Sequence, residues 1–65
     1  MDQDEVRRVS EHICDWLDDH AGFSFNALCR EIGADSGNMQ KYRKSRCFLE
    51  KHLVAIEIEL LKIKQ

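Results

Sequence analysis

Apolar side chains recur at intervals of three and four along most of the sequence, and no proline interrupts them. That spacing returns residues to one side of a helix, so the chain is expected to be all-helical. With 65 residues, three glycines and 43% hydrophobic residues, it is read as one small domain over 1–65. A chain this short buries only about 60% of its unfolded surface, is marginal alone and gains from a partner subunit. No apolar run approaches the roughly 18 residues of a membrane span, and the acidic start (Asp2, Asp4, Glu5) is unlike a signal peptide. Catalytic pockets of about 300–1,000 Å³ need more walls than this chain can build. A binding or assembly module is expected, not an enzyme.

Cys14, Cys29 and Cys47 are odd in number and form no CxxC unit. They read as reduced thiols in a cytoplasmic protein. Among them and His12, His20 and His52, His12-x-Cys14 is the one close pair. Structural zinc sites use tighter ligand pairs on turns, so neither a metal nor another cofactor is expected. A nucleophilic set of His12, Cys14 and Asp15 fails on geometry. Neighbours on a helix point about 100° apart, and Cys14 falls off the expected buried stripe.

The net charge of −2 hides a strong asymmetry. Residues 1–20 carry a balance of −5, residues 21–49 a balance of +3, and residues 50–65 none. The positive charge concentrates between Lys41 and Arg46. A polyanion is permitted there and discouraged at the N-terminal helix. A solvated helix end would show the same charges, since cations there favour the helix dipole.

Four helices are predicted, over about 4–20, 25–32, 36–44 and 48–64. In the first, Val6, Val9, Ile13, Trp16, Leu17 and His20 share one face. Asp2-x-x-Glu5 has the form of a capping box, Gly22 stands where a left-handed stop belongs, and His20 reads as a half-buried helix-end residue. Ser24 caps the second helix, Phe23 and Leu28 form a hydrophobic staple, and Gly33 ends it. The β-branched runs and alternation of a strand are missing there. Asp35 or Ser36 caps the third, whose apolar side holds only Met39 and Tyr42. Its opposite side presents Ser36, Gly37, Gln40, Lys41 and Lys44.

The fourth segment carries two apolar stripes. Leu49, Leu53, Ile56, Leu60 and Ile63 form a heptad seam, while Cys47, Val54, Ile58 and Leu61 form a second stripe well over a third of a turn away. One stripe can pack on the other helices. The second has no obvious place inside a monomer, and an exposed stripe of this length marks a protein–protein contact. A homodimer through Cys47, Val54, Ile58 and Leu61 is expected.

Helix, very short glycine-containing turn, helix is the arrangement of a helix-turn-helix. Residues 25–42 resemble the DNA-binding unit of phage repressor and Cro-type regulators in Leu28, small Cys29, Ile32, turn Gly33, apolar Ala34, Met39 and Tyr42. The resemblance covers about twenty residues strongly and implies a compact all-α helix-turn-helix domain with a long C-terminal helix. It implies sequence-specific binding of double-stranded DNA by a small, repressor-like transcription regulator, with helix 36–44 in the major groove. Base-contacting positions would be Ser36, Gly37, Gln40 and Lys41, with Lys41 suited to guanine. Gly37 departs from the pattern, having no side chain to read a base. Asn38, Arg43, Lys44 and Arg46 would contact phosphates and fix position. Ser45 stands where the family commonly has glycine, and Asp35 brings a carboxylate toward the phosphates. The competing reading is a helical dimerisation or protein-interaction module that never touches nucleic acid. It explains the two-striped helix equally well but leaves the outward basic face without a purpose.

Overall fold

A computed structural model describes residues 1–63. It holds four helices and no strand among the described residues: α1 (Gln3–Asp19), α2 (Phe25–Glu31), α3 (Ser36–Ser45) and α4 (Glu50–Ile63). No helix among these is long and apolar enough to cross a membrane. Lys64 and Gln65, expected at the end of the last helix and beyond, lie outside the described residues, as does the side chain of Ile63.

The helix starts follow local side-chain chemistry. Asp2 accepts a hydrogen bond from the Glu5 amide at 2.8 Å, Ser24 one from Ala27 at 3.2 Å, and Asp35 one from Asn38 at 3.2 Å. Each occupies an amide that the first turn leaves without a partner. The stops are less uniform. Gly33 adopts the left-handed conformation, at φ 72°, but Gly22 does not. α1 ends instead at His20, with φ −118°, whose amide bonds back to the Leu17 carbonyl. His20 is exposed, with its ring stacked on Trp16 at 4.0 Å and its Nδ1 2.8 Å from the Trp16 carbonyl.

α1 packs on α4, and α2 packs on both α3 and α4. The core gathers Ile13 and Leu17 from α1, Phe25, Leu28 and Cys29 from α2, Met39 from α3, Phe48 from the last connection, and Leu53 and Ile56 from α4. α1 faces this core a little differently from its apolar periodicity. Ser10 and Cys14 are fully buried, whereas Val6, Val9 and Trp16 are half-buried. Cys14 therefore lies on the buried side, not off it. Backbone approaches α1 closely at both positions, from the last turn of α3 at Cys14 and from the α3–α4 connection at Ser10. Ser10 Oγ accepts the Phe48 amide at 3.0 Å, and Cys14 Sγ lies 3.8 Å from the Arg43 carbonyl.

The inner seam of α4 is mostly as spaced. Leu53 and Ile56 are fully buried and Leu60 is half-buried. Leu49 is the exception, at 44% exposed. It precedes the helix, and its carbonyl accepts the amides of His52 and Leu53, both at 3.0 Å. A residue in that position is not bound to the helical periodicity.

Candidate nucleic-acid interface

The α2–turn–α3 unit is fixed by backbone bonding. After α2, the Ala34 amide bonds to Cys29 and the Gly33 amide to Arg30, at 2.9 and 3.1 Å. This crossed pair around a left-handed residue is the Schellman stop, and glycine adopts its φ without a Cβ penalty. Asp35 caps α3 almost immediately. Its carboxylate is engaged with the start of its own helix through Oδ2. At Gly37 an added Cβ would meet only Asp35 Oδ2, at an ordinary 3.5 Å. Nothing in the packing demands glycine there.

α3 is anchored on one side only. Met39 is fully buried, and Tyr42 is half-buried with its ring tilted against His52 at a centroid distance of 5.9 Å. Ser36, Gly37, Gln40, Lys41 and Lys44 are all exposed on the other side, with Asn38 exposed beside them. The residues that sequence reasoning assigned to base edges therefore share one accessible surface.

Arg43 and Arg46 are placed differently. Both fold back onto the acidic face of α1. Arg43 Nη2 lies 3.3 Å from Asp18, with its guanidinium 5.0 Å from the centre of the Phe25 ring. Arg46 pairs with Asp15, approaches Asp18 at 3.7 Å, and donates to the Glu11 carbonyl at 3.3 Å. The hydrogen bond that Arg46 donates to Asp15 holds the guanidinium more firmly protonated still. Both arginines were expected to face phosphates; each instead has carboxylate partners within the chain. Lys41 and Lys44 are the cations of α3 that carry no ion pair among the described residues. The spacing held a signal for this brace: two acids three apart on α1 match two arginines three apart at the end of α3.

The brace coincides with the exit from α3. The helix runs through Ser45, and the left-handed residue is Arg46, at φ 59°. The Cys47 amide bonds to Tyr42 and the Arg46 amide to Arg43, both at 3.0 Å, repeating the stop of α2 without a glycine. This conformation disfavours an ordinary residue by roughly 1–2 kcal/mol, and the side chain that adopts it is tied to α1. The stop thus falls one residue beyond Ser45, where the sequence pattern looked for it. Phe48, buried behind this exit and 6.3 Å from the Phe25 ring, is a further anchor that periodicity did not single out.

The outer stripe of α4 is open. Val54, Ile58 and Leu61 are 48%, 51% and 61% exposed, and Cys47 is exposed near the start of the helix. Cys14 and Cys29 are buried, and loss of solvation pushes both thiols up, away from the reactive thiolate. No group of three or more metal-ligating side chains is placed to hold an ion among the described residues. Comparison with models of known families, with curated proteins and with solved structures returns no match.

Proposed function

We propose that α2, the Gly33 turn and α3 form a helix-turn-helix that binds double-stranded DNA sequence-specifically. The protein would act as a small transcription regulator, with α3 in the major groove and α4 joining two copies into a homodimer. One observation carries this reading. α3 is held from behind by buried Met39 and turns an exposed surface of Ser36, Gln40, Lys41 and Lys44 outward. Side chains on such a surface reach base edges, and Lys41 suits the acceptors of guanine. Lys44 is a phosphate contact in this arrangement. Arg43 and Arg46 hold α3 in place and reach phosphate only by leaving α1.

With Lys41 and Lys44 as the cations of α3 that have no ion pair among the described residues, α3 releases few counterions, so one copy binds weakly and loses its grip at moderate salt. A two-fold dimer doubles the contacts and presents half-sites about one helical turn (~34 Å) apart. Electrophoretic shifts of random duplex DNA across a salt series test the reading. Retardation is expected at low salt, abolished by Lys41→Glu. Selection from a random pool should then return a two-fold-related site. Absence of any shift at low salt overturns DNA binding, and the exposed stripe of α4 would then favour the protein-interaction module instead.

A further inference from the structure

The exposed stripe of α4 has charges of opposite sign along its two borders. At about 100° per residue, Val54, Ile58 and Leu61 define one line. Glu50 and Glu57 lie to one side of it, Lys51 and Lys62 to the other, and all four charged residues are exposed. No ion pair engages Glu57 or Lys51 among the described residues, Lys62 meets only Glu59 of its own helix, at 3.2 Å, and Glu50 is paired with the N-terminal ammonium of Met1.

We infer that the partner seated on this stripe is the α4 helix of a second copy running parallel, in register, about a two-fold axis along the helices. The inference rests on the α4-mediated dimer proposed above and adds its direction. The reason is symmetry. A two-fold parallel to the helices brings the acidic border of one copy against the basic border of the other on both sides of the seam. An antiparallel pair, related by a two-fold across the helices, sets acid against acid on one side and lysine against lysine on the other. In the parallel register Val54, Ile58 and Leu61 occupy the alternating seam positions of a heptad, and Glu57 falls opposite the partner's Lys62. Lys51 also falls on the seam, beside the partner's Glu50, whose carboxylate the N-terminal ammonium of Met1 already engages within its own copy. A lysine at such a position sets register at some loss of stability. A groove of about 190 Å³ between α1 and α4, lined by Val9, Trp16, Leu60 and Leu61, adjoins the acidic border. The aliphatic stem of the partner's Lys62 would cover it while its charge meets Glu57.

Charge exchange tests the direction. Glu57→Lys should weaken self-association at least severalfold, and adding Lys62→Glu to it should restore the wild-type affinity, because in the parallel pair the single change opposes like charges and the double change only exchanges the two borders. An affinity that neither change alters, as in an antiparallel pair that already opposes like charges on both sides, overturns the parallel arrangement. Oxidative cross-linking in a Cys47→Ser background gives a second readout. Val54→Cys and Leu61→Cys should each cross-link to itself. Cross-linking only between the two variants, with dimers still seen by sedimentation, overturns the direction alone. A wild-type chain that sediments as a monomer at about 100 μM, far above the roughly micromolar Kd of a modest complex, overturns the dimer as well.

Discussion

His52, on α4, is half-buried against Tyr42 of α3, its Nδ1 enclosed without a hydrogen-bond partner. Burial, helped by neighbouring Lys51, pushes its pKa below the ordinary 6.5. The folded protein thus holds the ring neutral while the unfolded chain takes up a proton near its ordinary value. The associated stability is fully present above about pH 6.5 and is lost as the pH falls toward the lowered folded value. Thermal melts between pH 7 and pH 5 should show a declining midpoint, and His52→Phe should flatten that slope while preserving the contact with Tyr42. A slope unchanged by the substitution would move the pH dependence elsewhere. Met39 is the second decisive residue. It is fully buried and is the main apolar attachment of α3. Met39→Ala should remove about 2–5 kcal/mol by leaving a cavity, read as a lower denaturant midpoint with little change in slope.

At the level of the element, α3 is too short to be stable by itself, since isolated helices below about 12–15 residues are marginal in water. Its position depends on Met39 and Tyr42 along its inner side and on Arg43 and Arg46 at its end. Those arginines serve attachment and charge at once, and in the folded chain the carboxylates of Asp15 and Asp18 claim them. The pairs are partly exposed, so their contribution to stability is modest and screened by salt. Their effect on a polyanion is larger, because two negative charges stand beside the candidate DNA surface. Asp15→Asn/Asp18→Asn should tighten low-salt duplex binding severalfold and steepen its salt dependence, as two more cations become available to phosphate. Titrations of wild type and variant at two or more salt concentrations check this. Equal slopes would mean that the arginines stay on α1 when DNA binds.

For the whole molecule, the decisive fact is how little apolar surface a chain of this size can enclose. One side of α4 closes the core and the other remains in water. If a second copy covers that side, stability depends on concentration through mass action. The melting midpoint should rise with protein concentration over roughly a hundredfold range. Ile58→Glu should abolish the rise and lower high-concentration stability to the monomer's level. A midpoint independent of concentration in the wild type would place the stripe outside any self-association. The same dimer would double the lysine count offered to DNA, so Ile58→Glu should also weaken duplex binding while leaving α3 intact.

The residues alone determined the number of helices, their approximate limits, the capping side chains and the two stripes of α4, because these follow from helical period and local hydrogen bonding. They also determined the outward side of α3, since Met39 and Tyr42 leave only one way to turn it. Tertiary structure decided what depends on distant neighbours. It buried Ser10 and Cys14 beneath the α3–α4 connection and the end of α3, moved Leu49 out of the seam and put the left-handed stop on Arg46. Above all it turned Arg43 and Arg46 onto Asp15 and Asp18. An arginine's spacing shows which way its helix faces, but its long side chain goes to whichever carboxylate the fold brings within reach.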